Sequence, residues 1–205
     1  MSDFLLYGNR ESGHSYKIKL MLSVARVTHR YEEIDLMLPR EQRPELFRSR
    51  SAYGEVPVLM HGEQALVQSD AILLYLADYL QAYGGESPAR LTRAREWLFW
   101  EANRIGFSFP HIRFARKFAP QDYAPDVLTW LEQRFALDVA RLDNELSDGR
   151  RFILDDLPSI ADFALCGYLF WSEQGGVELP AYVSNWLDQI RSLPGWQAPY
   201  DLMRN

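Results

Sequence analysis

Cysteine is nearly absent from this chain: of its 205 residues, only Cys166 carries a thiol. An intramolecular disulfide is therefore impossible, and so is a cysteine-rich metal site. Such usage fits a reducing compartment, and a cytoplasmic location is expected. Histidine is scarce too, with four scattered at positions 14, 29, 61 and 111, so no metal is expected. Long apolar runs are missing. The patch at residues 4–7 is too short for the core of a signal peptide, and nothing elsewhere approaches the length of a membrane span. Positive charge is in deficit, with 22 Lys and Arg against 28 Asp and Glu, a net −6. A chain of that sign repels phosphate backbones unless its basic residues cluster, so neither nucleic acid nor membrane is an expected partner. Repeats and low-complexity tracts are absent as well.

What remains is globular text. Apolar residues make up 47% and charged residues 24%, and the length suits one large domain or two small ones with a real core. The first third alternates strand-like and helix-like segments. Residues 4–7 read as a short buried strand, and 8–13 as a turn of Gly, Asn and Ser. From Ser15 the spacing of Ile18, Met21, Leu22 and Ala25 predicts a helix, and 31–36 predicts a second strand. That is a βαβ unit, with parallel strands and a right-handed crossover. An Arg-rich stretch over 39–53 follows, with a short helix near 44–49. Residues 56–60 and 65–68 flank a His-Gly-Glu turn and form an antiparallel hairpin. Ser69 then opens a helix whose Ile72, Leu73, Leu76 and Leu80 share a face. Beyond the Gly84-Gly85 and Pro88 stretch, all the text is helical, with segments at 90–117, 126–146, 159–173 and 181–193. The predicted organisation is an α/β domain over 1–81 with a mixed four-stranded sheet, a linker at 82–89 and an all-α domain over 90–205.

Three local features carry chemistry. Pro57 opens a strand, where it cannot donate to the ladder. If the Val56–Pro57 bond is cis, the backbone of Val56 turns outward and can pair with an extended peptide as an added strand would. Gln68 and Ser69 stand where a strand becomes a helix. Ser69 either caps that helix or, with the first amides and the Gln68 side chain, meets a bound carboxylate. Ser12 precedes the first helix. Its hydroxyl either caps that helix or donates to a ligand thiolate and lowers the thiol's pKa.

The segments LLYGNRESGHSYKIKLML, GEVPVL and QSDAILLYL, in this order and spacing, resemble the cytosolic glutathione transferases. The segment FILDDLPSIADFAL extends the likeness into the second half, with a capping box at Ser159 and Asp162. The resemblance implies a thioredoxin-like first domain followed by an all-helical one. It implies glutathione as co-substrate, a small hydrophobic electrophile and a homodimer. It places the thiolate-stabilising hydroxyl at Ser12, as in serine-type members, a cis proline at Pro57 and backbone pairing with glutathione at Val56. It assigns the γ-glutamyl end to Gln68 and Ser69. Tyr7 is the alternative hydroxyl, since other branches use a tyrosine near the end of the first strand. Where many relatives carry Glu, Asn-Pro and Gly, this chain has Gln68, Ser51-Ala52 and Asp155.

The partner of the glycine carboxylate is not fixed by this text, with Arg40, Arg43 and Arg48 available by charge. For the second-substrate pocket the expected residues are His14, Trp100, Arg104 and His111. The first domain holds no cysteine, which excludes a mixed-disulfide mechanism there, and Cys166 reads as a core residue. Other outcomes remain open at this stage: a non-catalytic glutathione- or ligand-binding or interaction module, or a glutathione-dependent isomerase or peroxidase.

Overall fold

The structure is a computed structural model that describes residues 3–204. Its sheet has the order β2-β1-β3-β4. Strand β1 (Phe4–Gly8) runs parallel to β2 (His29–Glu33) and antiparallel to β3 (Val58–His61), which pairs antiparallel with β4 (Gln64–Val67). Helix α1 (Gly13–Val24) makes the crossover, α2 (Glu45–Arg50) precedes β3 and α3 (Ser69–Leu80) follows β4. This is the expected βαβ-ββα thioredoxin-like arrangement. Six helices follow: α4 (Pro88–Ala102), α5 (Ile105–Lys117), α6 (Pro125–Glu145), α7 (Ile160–Leu169), α8 (Ala181–Arg191) and α9 (Pro199–Leu202). No helix among the described residues is long and apolar enough to cross a membrane.

Strand parity divides β1 between two cores. Phe4 and Leu6 face α1 and α3, where they join Ile18, Leu59 and Leu76. Tyr7 faces the other way and packs with Ile34, Phe47, Val58 and Met60. The larger core continues without a break into the helical half through α7, whose residues Ile160 to Gly167 are all buried. An element apolar on every side has to sit at the centre. Accordingly α7 packs on α1, α3, α4 and α5.

Three elements differ from their sequence-based expectations. Strand β2 lies earlier than 31–36, because its length is set by pairing with β1 from Phe4↔His29 to Gly8↔Glu33. Asp35 then accepts the Met37 amide at 2.8 Å and turns the chain away. The segment 90–117 is two helices. Arg104 leaves helical backbone geometry (φ −128°, ψ −100°), and Gly106 presses so close to Glu101 that a Cβ there would meet Oε1 at 2.3 Å. The buried stripe Ala94, Leu98, Glu101, Ile105, Phe109 and Ile112 keeps its period across the break, so periodicity alone does not reveal it. Helix α7 stops at Leu169, and a short 3-10 turn ends at Gly176, whose φ of 61° no helix accommodates.

Lys17, Asp70 and Glu101 tie the halves together. The Lys17 ammonium, 1% exposed, lies 2.7 Å from Asp70 Oδ1 and 3.3 Å from Glu101 Oε2. Burial pushes the Glu101 carboxyl up to about 7; Lys17 opposes this and Asp70 adds to it. The folded protein therefore holds a proton at Glu101 that the unfolded chain has released above the usual carboxylate range. The stability this contributes is complete below that range and is lost as pH rises through about 7. Replacing Glu101 with Gln is expected to flatten the fall in melting temperature between about pH 5 and about pH 8. An unchanged slope in the variant would show that Glu101 is already ionised in the fold.

Candidate functional site

The turn between β1 and α1 is wired by its own side chains. Asn9 donates from Nδ2 to the Ile34 carbonyl at 2.8 Å and accepts the Glu11 amide at 2.9 Å. Ser15 Oγ, which is not the cap, accepts the Asn9 amide at 3.3 Å. Ser12 is the N-cap of α1: its Oγ accepts the Ser15 amide at 3.1 Å. Capping uses a lone pair of that oxygen and leaves the hydroxyl proton to donate. Ser12 borders a cleft of about 600 Å³ between the sheet and α5.

A smaller cavity of about 120 Å³ adjoins it, lined by Val56, Pro57, Gln68 and Ser69. Val56 and His14 border both spaces. The Val56–Pro57 bond is cis. Gln68 stands at the N-cap of α3 with φ 68°, ψ 115° and no side-chain cap bond, a costly backbone state for a residue with a Cβ. The ladder of α3 begins with the Ile72 amide on the Gln68 carbonyl at 3.0 Å. The amides of Ser69, Asp70 and Ala71 thus precede it and face the cavity end of the helix, where the dipole favours an anion. Ser69 is the first helical residue and not the cap; its Oγ lies 3.5 Å from His14 Nδ1. Burial, with the Lys17 charge nearby, pushes His14 down to about 3, so its imidazole is neutral at physiological pH.

Five residues from three separate segments, Ser12, Val56, Pro57, Gln68 and Ser69, thus converge on two adjoining spaces, with His14 between them. Four other expected positions lie elsewhere. Tyr7 is on the opposite sheet face, edge-on to Phe47, because its parity in β1 is that of Leu5 and not of Leu6. Trp100 and Arg104 border a separate groove between α4 and α6, where Arg104 lies 3.8 Å from Asp138. His111 is exposed and bonds the Tyr123 hydroxyl at 2.7 Å. The stripe of α5 that borders the cleft is Pro110, Arg113 and Phe114, and His111 lies one residue off it.

The three loop arginines separate by their partners. Arg43 donates to the carbonyls of Leu36, Leu38 and Gly54 at 2.8–3.1 Å, which makes it the clamp of its own loop. Arg48 donates to the Arg43 carbonyl at 3.0 Å. Arg40 borders the cleft beside Gly54, and its guanidinium has no hydrogen-bond partner among the described residues.

The sequence reading missed the groups that hold Glu11, the residue before Ser12, from the helical half. Arg113, 2% exposed, donates to the Glu11 carbonyl at 2.8 Å, to the Glu11 carboxylate and to Gln174 Oε1 at 2.8 Å. Lys117 reaches the same carboxylate at 2.7 Å and Tyr200 at 2.9 Å. Burial raises the Glu11 carboxyl, but bonds from Lys117, Tyr200 and Arg113 outweigh it and hold the group below the usual range. Cys166 is buried, with its thiol pushed far up by burial, and its Sγ lies against the Phe163 carbonyl at 3.5 Å. A thiol held this way is unreactive.

Residues 2–78, which carry the whole α1–α3 cradle, match the family described as glutathione S-transferase, N-terminal domain. A crystal structure of a glutathione S-transferase from Pseudomonas fluorescens superposes with a TM-score of 0.86 and 28% identity, covering 97% of this chain and 99% of the other. Over residues 2–78 the chain belongs to the glutathione S-transferase N-terminal domain family. A curated relative from Escherichia coli, named disulfide-bond oxidoreductase YfcG, is 28% identical over 93% of this chain and 90% of its own length. The theta class enzyme from Xanthomonas axonopodis pv. citri, solved with glutathione bound, gives a TM-score of 0.84 over 100% and 99% of the two chains. At 20% identity that likeness is one of fold.

Proposed function

We propose that this transferase-family enzyme binds glutathione along the two adjoining spaces, ionises its thiol and directs the sulfur at a small hydrophobic electrophile. The observation that carries the reading is the convergence of two helix starts, α1 capped by Ser12 and α3 opened by Ser69, on either side of the Val56–Pro57 edge. A γ-glutamyl carboxylate suits the free amides of α3 with Ser69 and Gln68. The backbone of Val56 suits the cysteinyl unit. The unpartnered Arg40 suits the glycine carboxylate. The sulfur then lies toward Ser12, and the apolar wall of Met37, Phe114 and Phe118 receives the electrophile. A shift of two units in the thiol's pKa corresponds to about 2.7 kcal/mol of preference for the thiolate. The sulfur attacks carbon, a C–S bond forms and the leaving group departs with its electron pair.

A second reading has a specific support in the YfcG likeness. The same thiolate could attack a disulfide: one S–S bond forms with glutathione and one thiolate leaves. A second glutathione thiolate then releases the remaining half as thiolate and leaves oxidised glutathione. Cys166 takes no part in either route. Turnover of aryl halides against that of a small dialkyl disulfide, both with glutathione, separates the two. Retention on immobilised glutathione with neither turnover would support a binding module instead.

The binding assignment has its own test. Replacing Arg40 with Ala, or Ser69 with Ala, is expected to weaken glutathione binding by about tenfold each, the scale of a charge-assisted hydrogen bond. Calorimetric titration measures it, and unchanged affinity in both variants would place the tripeptide elsewhere. We also read the chain as a cytoplasmic homodimer, with the sheet domain at 1–81 joined to the helical domain at 90–205 through 82–89.

A further inference from the structure

We propose that Tyr168, contributed by the buried helix α7 of the helical half, supplies a second hydroxyl to the sulfur subsite beside Ser12. The proposal rests on the glutathione reading above and assigns a catalytic group to a residue that the sequence presents only as part of an apolar helix.

The contact between α7 and the start of α1 is made through two glycines. A Cβ on Gly13 would lie 2.5 Å from Cγ and Cδ2 of the Tyr168 ring, and a Cβ on Gly167 would lie 2.9 Å from the Gly13 carbonyl oxygen. The ring is therefore pressed flat against the residue that follows Ser12, and any larger side chain at position 13 would expel it. His14 meets the same ring edge-on, with centroids 5.0 Å apart and planes at 78°. Trp171 supports it from behind at 6.0 Å. Ser12, His14 and Tyr168 all border the larger cleft. A ring fixed by three neighbours holds its hydroxyl without needing to reorganise as charge develops, which is the condition for strong electrostatic stabilisation.

Tyr168 lies against Gly13 and shares the cleft wall with Ser12, and these two neighbours hold its phenol down. Burial nevertheless raises the phenol above its ordinary range, against the opposing charges of Arg113 on α5 and Lys17 on α1, so the group keeps its proton. Ser12 Oγ already accepts the Ser15 amide. Its single proton and the Tyr168 hydroxyl proton are therefore both left for the sulfur. A thiolate at the subsite would accept from both hydroxyls.

The test compares wild type, Tyr168→Phe, Ser12→Ala and the double variant. Phenylalanine keeps the ring and removes only the oxygen, and a thermal melt confirms that each variant is folded. The readout is the pKa of bound glutathione, followed by thiolate absorbance. Tyr168→Phe is expected to raise that pKa by about one unit and to lower turnover at neutral pH by about tenfold. Affinity for S-methylglutathione, which has no thiol to ionise, should change by less than about twofold. The effect of Tyr168→Phe should be smaller in the Ser12→Ala background, because both hydroxyls serve one sulfur. A bound-thiol pKa unchanged in Tyr168→Phe but raised in Ser12→Ala would overturn the proposal and make Tyr168 a wall of the cleft. If wild type binds glutathione without lowering its thiol pKa, or does not bind it, the glutathione reading itself fails, and this proposal fails with it. That outcome is read from wild type alone and cannot be confused with the first.

Discussion

Ser12→Ala is expected to lower turnover at neutral pH by about a hundredfold while glutathione affinity changes less than about threefold. The split follows from geometry. In the proposed binding mode the tripeptide is held by the amides at the start of α3 and by Arg40. Ser12 contacts no part of it but the sulfur, so its hydroxyl matters in proportion to the negative charge there. Removing one preorganised donor to a developing anion typically costs about two to three powers of ten in rate, and sulfur accepts more weakly than oxygen. Ser12 is also the N-cap of α1, and losing a cap costs about 1 kcal/mol of stability. The two roles separate by substitution. Ser12→Thr keeps a capping hydroxyl and should recover much of the rate. Ser12→Asn keeps a cap but no hydroxyl, and should recover stability without rate. The pH–rate profile of Ser12→Ala should shift alkaline, since more of the thiol must then be ionised by solvent. A variant as fast as wild type at neutral pH would remove Ser12 from the chemistry.

The largest stability effect is expected at Asp162. Its carboxylate is fully buried and accepts four donors: the amides of Ile153 and Ser159 at 2.8 Å, Ser159 Oγ at 2.9 Å and Trp186 Nε1 at 2.9 Å. The capping box expected from Ser159 and Asp162 is present, but the residue does more than close a helix end. It joins the loop before α7, the start of α7 and a tryptophan of α8 in one buried cluster. Burial pushes the carboxyl up, and the amides of Ile153 and Ser159, with Trp186 and the Ser159 hydroxyl, hold it down. Alanine there would leave four donors unpaired in the core. Each unsatisfied donor costs about 1–3 kcal/mol, and breaking a buried charged cluster costs about 3–5 kcal/mol in all. Domains of this kind have only about 5–15 kcal/mol to lose. Urea unfolding followed by tryptophan fluorescence should show the midpoint collapse or the variant fail to accumulate. A loss below about 1 kcal/mol would mean that water replaces the carboxylate, contrary to the burial of all four donors.

Much of the cradle was legible because its residues sit at strand–turn–helix junctions, where the local text is distinctive. Ser12 before α1, Pro57 at the edge of β3 and Gln68-Ser69 before α3 all carry signals within a few residues of themselves. The four misplaced residues share a different property: their roles depend on which way an element faces. Tyr7 sits in a strand apolar on both sides, so parity cannot tell the α1 face from the α2 face. Trp100 and His111 lie on helices with aromatic or charged residues on several sides, and Arg104 sits at the α4–α5 break, which preserves the buried stripe. Glu11, Arg113 and Tyr168 were invisible for a third reason. The Glu11–Arg113 contact spans 102 positions of sequence, and a tyrosine in ALCGYLFW reads as packing until the chain folds its ring onto Gly13 at the cleft that Ser12 borders.

The most direct measurement is a pH titration of wild type saturated with glutathione, following thiolate absorbance against the same protein with S-methylglutathione. The account expects the bound thiol to ionise about two units below the free tripeptide, so that thiolate predominates near neutral pH. A bound thiol that titrates with the free one would mean that the two helix starts hold glutathione without activating it, and the central claim would be wrong.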